Sequence, residues 1–302
     1  MPPFSLQLLC AALAVALSAA YHNPIRYPGP DPSMVYVDGS YFMTHTSDTH
    51  IEMSKANTLD ALVFGETKTI WEDTNVTRSA HMWAPEIHHI DDTWYMLYSS
   101  CHANQTCCDT CMTRILRGCD GSNPFDCDYE FLADLVPPPG RRGGPEKNLT
   151  FSIDGTYLEV PNYGRYHVVS AMDENNNQSI QITKLDTDAW TVEGWNIISQ
   201  PDRPPLYYQD NIWLTYSGSF CGTPNYALGL LHYLGGDPLD KSSWHKTGPV
   251  LTQANGNFGT GHNCIFLSPD GTEIWVSQSR AGTNVWHSLL KSSLSHPGFN
   301  AP

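Results

Sequence analysis

The stretch PPLYYQDNIWLTYSGS, residues 204–219, runs apolar and aromatic up to a polar turn at Asp210-Asn211, then alternates down to a Tyr-Ser ending. The same plan recurs four more times. PSMVYVDGSYFMTHTS (32–47), PEIHHIDDTWYMLYSS (85–100), DGTYLEVPNYGRYHVVSA (154–171) and NCIFLSPDGTEIWVSQSR (263–280) each carry an apolar run, a turn, aromatics and a hydroxyl near the end. Asp-Gly and its relatives are the preferred chemistry of tight hairpin turns because they tolerate positive φ. The flanking alternation places one side chain in two on each face of a sheet.

One hairpin cannot bury its aromatics alone. Five of them, with further strand-like segments between, can pack face to face around an axis. The expected fold is therefore all-β, a five-bladed β-propeller whose radial repetition leaves only short protected edges. A β-sandwich also spaces its strands regularly and is the competing architecture; the likeness of the five hairpins favours the propeller. No long amphipathic helix is evident.

Composition fits this reading. The 302 residues are 40% hydrophobic and 11% aromatic, with only 16% charged and many Gly and Pro, a balance suited to short strands joined by turns. The formal charge of −15 and the lack of any basic run argue against nucleic acid and anionic membranes. A neutral partner such as a sugar is permitted.

The first twenty residues, MPPFSLQLLCAALAVALSAA, hold an apolar run ending in small residues. They read as a secretory signal cleaved after Ala20, too short for a bilayer span, leaving 21–302 as one domain. Four N-x-[ST] sequons, at Asn75, Asn104, Asn148 and Asn177, suit the surface of a secreted protein. Cys101, Cys107, Cys108, Cys111, Cys119 and Cys127 crowd one segment. In an oxidising compartment disulfides are the better reading than zinc. Cys221 and Cys264 are left to pair with each other or with the cluster.

A polar group stands just before or at the start of each hairpin: Asp31, Glu86, Asp154, Asp202 and His262. In a propeller the innermost strand of every blade begins at the same mouth of the axis, so these groups are expected to gather there. Any one of them alone reads as a solvated turn residue. Carboxylates collected in a partly dry pit split their pKa values, which acid–base chemistry at a glycosidic bond requires.

At this point NPIRYPGPDPSMVYVDGSYF, MWAPEIHHIDDTWYMLYSS, SIDGTYLEV, YALGLLHYLGGDPLDKSSWHKTGPV and GTGHNCIFLSPDGTEIW together resemble glycoside hydrolase family 43. That family consists of five-bladed propellers acting on arabinan, arabinoxylan and xylan. The resemblance implies inverting hydrolysis by two carboxyl groups roughly 6.5–9.5 Å apart, one activating water and one protonating the leaving oxygen. It implies plant cell-wall polysaccharide or oligosaccharide as partner, arabinofuranosides being favoured, with a monomer as the working unit. Asp31, in PDPS, matches the family's general base. Asp154, in SIDGTY, matches the carboxylate that keeps the acid protonated and orients it. His262, in GHN, matches a histidine lining the axis, often near a bound calcium or water; a hydrogen-bonded core imidazole is the competing reading. The chemistry requires no cofactor. Trp83, beside WAPE, matches a sugar platform, with a core aromatic as the plainer alternative. Arg280 falls where relatives place a substrate-contacting arginine.

Two departures stand out. The family's acid is a glutamate leading the fourth hairpin; counted back from Tyr216-Ser217 without gaps, that place is Pro201, in QPDRPP. Asp202 is one residue away, and a one-residue offset turns a strand side chain to the other face. Either a bulge brings Asp202 to the mouth as substitute acid, or the acid is missing and the chain is a carbohydrate-binding propeller with impaired turnover. An extracellular structural protein with no ligand is the third reading. The second departure is the tail VWHSLLKSSLSHPGFNAP, polar and without a strand pattern, which predicts an incomplete last blade.

Overall fold

Asp38 and Gly39 take φ of 47° and 80°, and Asp91 and Asp92 take 49° and 62°. Two consecutive left-handed residues make the tight turn whose twist matches that of paired strands. They join β1 (Ser33–Val37) to β2 (Ser40–Thr46) and β5 (Ala80–Ile90) to β6 (Thr93–Cys101), with Val37 opposite Ser40 and Ile90 opposite Thr93. Both are hairpins expected from turn chemistry alone. The computed structural model describes residues 25–106, 109–121, 123–144, 151–200, 212–253, 258–280 and 288–293.

Five antiparallel sheets follow one another along the chain as blades of a β-propeller; four of them begin with a hairpin expected from the sequence, while of the hairpin at 204–219 only residues 212–219 are among the described ones. Blade 1 adds β3 (Ile51–Ala56) and β4 (Glu66–Trp71), and blade 2 adds β7 (Met112–Asp120) and β8 (Glu130–Asp134). Blade 3 is β9 (Ser152–Val160), β10 (Gly164–Met172) and β11 (Gln178–Asp186), with the short β12 (Thr191–Val192) and β13 (Asn196–Ser199) both pairing β11. Blade 4 contributes β14 (Trp213–Gly218), β15 (Ala227–Tyr233) and β16 (Trp244–Leu251). Blade 5 is β17 (Thr260–Leu267), β18 (Glu273–Arg280) and β19 (Ser288–Ser293). Among the described residues the only helices are single 3₁₀ turns, and none is long and apolar enough to cross a membrane.

The core lies in the seams between blades. Phe42, Met53, Met82, Trp94 and Met96 fill the seam of blades 1 and 2, and Ile90, Leu97, Ile115, Leu185 and Trp190 that of blades 2 and 3. Tyr166, Ile182, Leu231 and Trp244 join blades 3 and 4. Met34 and Met43 meet Phe266 and Trp275, so blade 5 closes onto blade 1. Burying such side chains gives about 1.5–3 kcal/mol each, which is why aromatic and aliphatic residues recur at the same step of every hairpin. Between blades 4 and 5 a glycine sets the approach. A Cβ on Gly261 would lie 2.3 Å from the Tyr226 ring, so only glycine lets the two blades approach this closely.

One feature differs from the sequence expectation. Ser288–Ser293 forms a strand on β18 although its sequence, SLLKSS, lacks strict alternation. As expected of the cysteine cluster, disulfides join Cys101 to Cys111 and Cys119 to Cys127, stapling the ends of β7 to its neighbours, whereas Cys221 and Cys264 have no disulfide partner among the described residues. Cys264 instead exchanges hydrogen bonds with the Met34 backbone across the closing seam. Cys107, Cys108, Asn148 and the leader expected over residues 1–20 lie outside the described residues.

Candidate active site

In blades 1, 2, 3 and 5 a non-glycine residue of positive φ stands just before the innermost strand or in its first half: Asp31 (55°), Ala84 (47°), Asp154 (56°) and His262 (43°). The ladder register shifts at this point in blades 2, 3 and 5. A bulge of this kind bends the strand and re-aims its side chains, which frees these groups from the alternation of the strand behind them. At blade 2 the left-handed place belongs to Ala84. Glu86 stands two residues further along, with its carboxylate 3.0 Å from His88 Nε2.

Asp31, Glu86, Asp154 and His262, from four blades, lie within electrostatic reach of one another. Asp31 Oδ1 is 3.4 Å from His262 Nδ1, an ion-pair distance longer than a good hydrogen bond. The Thr46 hydroxyl donates to Asp31 Oδ2 at 2.7 Å. Asp154 retains a narrow opening to solvent, but protein surrounds it otherwise. Burial raises its carboxyl from the ordinary 3.8 to about 6, with repulsion from Asp31 and Glu86 adding to the effect and His262 opposing it. Burial works against a charge on His262, yet attraction to Asp31, Asp154 and Glu86 outweighs it and holds the imidazole above its usual value. Repulsion among the mouth carboxylates adds to the shift of Asp154, with desolvation the larger cause.

Three further side chains border the site without having been singled out from the sequence. The nearly buried Tyr226 phenol is raised by burial and feels Asp154 and Asp31, while the Ser217 hydroxyl opposes the shift. Its place before β15 is set by packing on Gly261, a contact between blades that no local pattern announces. His45 is almost wholly enclosed, 3.3 Å from Glu52; burial and Arg26 lower it to about 4. His167 is fully buried with no protein partner for either ring nitrogen among the described residues, and burial likewise lowers it to about 4.

Trp83 is part-exposed rather than part of a core cluster. Its indole N–H donates to Asp48 Oδ1 at 2.9 Å, and His81 Nδ1 meets the same oxygen at 2.9 Å. This pins the indole next to Ala84 at the mouth. Arg280 ends β18 opposite Thr260, which puts its backbone beside Ser279 at the same end; its side chain lies outside the described features. Asp202 lies outside the described residues. An open, mostly apolar cavity of about 700 Å³ is bordered by Val35–Val37, His89, Trp94 and Phe266–Pro269. Those residues are at the turn ends of β1, β5 and β17, the opposite end of the axis from the carboxylates, so the cavity is separate from this site.

A calcium ion prefers six to eight oxygen ligands. Among the described residues no three His, Cys, Asp or Glu side chains surround a common point, and no step below passes through a metal.

Residues 21–292 match the family described as Glycosyl hydrolases family 43. The chain belongs to that family. Among its relatives in family 43, an "Extracellular exo-alpha-(1->5)-L-arabinofuranosidase" of Streptomyces avermitilis is 30% identical over 87% of this chain and 57% of its own length. "Alpha-L-arabinofuranosidase 43" of Humicola insolens is 30% identical over 91% of this chain and 61% of its own. The chain thus spans less than two thirds of these two relatives. The crystal structure of an alpha-L-arabinofuranosidase from Lactobacillus brevis matches with a TM-score of 0.76 at 25% identity, covering 90% of this chain and 92% of that one. The propeller and the family expected from the sequence are both borne out.

Proposed function

We propose that this family 43 chain is a secreted hydrolase that removes arabinofuranosyl units from arabinose-containing plant polysaccharides, with inversion at the anomeric carbon. The observation that carries the reading is the meeting of Asp31, Asp154 and His262, from blades 1, 3 and 5, at one mouth of the axis. Asp31 acts as base: its carboxylate accepts the proton of the attacking water while Thr46 orients one oxygen. Asp154, buried and repelled by its neighbours, supplies the graded protonation that a second carboxyl group needs in order to remain an acid near neutrality. Trp83, with its edge anchored on Asp48, offers a ring face to a sugar. The arabinose preference rests on the names of the relatives. Secretion is supported by the word "extracellular" in one of those names, the two disulfides, and sequon asparagines that are exposed at positions 75, 104 and 177.

Asp202 is the proposed acid, on grounds of the chain's own repeat rather than the family's motif. Thr46 stands fifteen residues after Asp31, Ser99 fifteen after Ala84, and Ser217 fifteen after Asp202. Asp202 therefore holds in blade 4 the sequence place that the left-handed mouth residue holds in blades 1 and 2. The spacing is sixteen from Asp154 to Ser170 and seventeen from His262 to Ser279, so the assignment rests on blades 1 and 2.

The test is hydrolysis of an aryl α-L-arabinofuranoside and of arabinan, with the anomer first released followed by proton NMR. Arabinose appearing first as the β-anomer is expected; retention of configuration, or sugar binding with no turnover on either substrate, would overturn the reading. Asp202→Asn should slow arabinan cleavage about 10²–10⁴-fold and much less a substrate with a good leaving group. An equal loss on both would remove Asp202 from the acid role.

A further inference from the structure

A hydroxyl closes every one of the five repeated hairpins, and neither the fold class nor the assigned acid–base roles explain why. In the structure these hydroxyls have one task in common. The left-handed conformation at the mouth costs an L-residue about 1–2 kcal/mol, and in each described case the neighbouring blade holds it in place. The backbone N–H of Asp31 donates to Ser279 Oγ at 2.7 Å, that of Ala84 to Thr46 Oγ1 at 2.7 Å, that of Asp154 to Ser99 Oγ at 3.2 Å, and that of His262 to Ser217 Oγ at 2.7 Å. Every donor is the mouth residue of one blade, and every acceptor belongs to the blade before it: Ser279, Thr46 and Ser99 on its second strand and Ser217 on β14.

The register is the same throughout. Thr46 N–H donates to the Pro30 carbonyl, Ser99 faces Trp83 and Ser279 faces Gly261. Thr46, Ser99 and Ser279 therefore each stand opposite the residue that precedes their own blade's left-handed position. Ser170 keeps this register in blade 3, facing Ile153. Among the described residues the bonds span four of the five seams, including that between the last blade and the first through Ser279 and Asp31; in blade 3 the Ser170 hydroxyl accepts from Gln178 Nε2.

Thr46 does a second thing. It accepts from the Ala84 amide, which can only donate, so its own proton is free to go to Asp31 Oδ2 at 2.7 Å. An ionised carboxylate only accepts, so this chain of two bonds has one direction. It ties down Oδ2 and leaves Oδ1, the oxygen facing His262, to take a proton from water.

We propose that these hydroxyls form an interblade collar that positions the axial groups, and that Thr46 is the positioning residue that aims the Asp31 carboxylate. The inference deepens the proposed function and rests on its assignment of Asp31 as base. Valine at position 46 keeps the branched shape favoured in a strand and removes both hydrogen bonds; serine restores the hydroxyl. Misplacing a reacting group by about 1 Å can cost on the order of 10²-fold. Thr46→Val should therefore lower kcat about 10–100-fold with KM within about twofold, and Thr46→Ser should recover to within a few-fold of the unaltered protein.

A purely structural Thr46 would lower Tm in the valine variant and leave kcat intact below the unfolding range; that result overturns the proposal. Asp31→Asn measured alongside separates the two layers. If it is inactive while Thr46→Val turns over normally, the base assignment stands and the positioning role falls. If Asp31→Asn keeps its activity, both fall. A thermal-unfolding double-mutant cycle of Thr46→Val with Asp31→Asn reads the bond without turnover: non-additive losses support it, and strict additivity overturns it.

Discussion

Replacing Asp154 with asparagine removes a titrating group while keeping its shape, and the expected gain in stability depends on pH in a defined way. An aspartate raised from 3.8 to about 6 holds its proton more tightly in the folded chain than in the unfolded one. Below about pH 4 the proton is bound in both states and the group costs nothing. Between about pH 4 and 6 the unfolded chain releases it first, so folding loses stability as pH rises; above about pH 6 the penalty is constant. A shift of roughly two units corresponds to about 3 kcal/mol. Asp154→Asn should match the unaltered protein near pH 4 and exceed it by about 3 kcal/mol at pH 7, or about 5–10 °C in Tm for a domain of this size. Urea or thermal unfolding of both proteins from pH 4 to 8 measures the gap. A variant that is less stable at pH 7, or a gap of the same size at every pH, would refute the claim that Asp154 sits desolvated among like charges. The same substitution should depress turnover, so stability and activity are expected to move in opposite directions.

His167 has the opposite linkage. Its folded value of about 4 lies below the ordinary 6.5, so its contribution is complete above about pH 6.5 and is lost as pH falls toward 4; His167→Gln should flatten that part of the stability profile, and an unchanged slope would show that the ring is not buried neutral. The Cys101–Cys111 bridge closes a short loop at the β6–β7 connection, so Cys101→Ser with Cys111→Ser should cost about 2–3 kcal/mol in urea unfolding, while no difference between this variant and the parent would mean that the bridge does not form.

The propeller was legible because its information is local and repeated. Asp38-Gly39 and Asp91-Asp92 specify their turns through residues that tolerate positive φ, and the strands on either side alternate visibly. The candidate base and its buried companion were legible for a different reason, since Asp31 and Asp154 lie in distinctive motifs at equivalent steps of the repeat. What the residues did not disclose is whatever depends on the next blade. A search for charged residues pointed to Glu86 as the second mouth residue, whereas the left-handed position at Ala84 is marked by the Thr46 hydroxyl of another blade. Tyr226 reaches the mouth because Gly261 leaves room for its ring. The strand at Ser288–Ser293 follows from pairing with β18; an outer strand needs only backbone complementarity and one apolar face, so its pattern is weak. The cysteine pairs are local, ten and eight residues apart, yet six clustered cysteines allow many pairings and only geometry chooses among them.

The central claim is that Asp31 activates water at a site assembled from separate blades. Its most direct test is the rate of aryl α-L-arabinofuranoside hydrolysis by Asp31→Asn beside the unaltered protein, with both checked for the same unfolding transition. A fall of about 10²–10⁴-fold in a variant that still folds and still binds arabinose is the predicted result. Turnover within about tenfold of the parent, well short of what loss of a general base should cost, would contradict it.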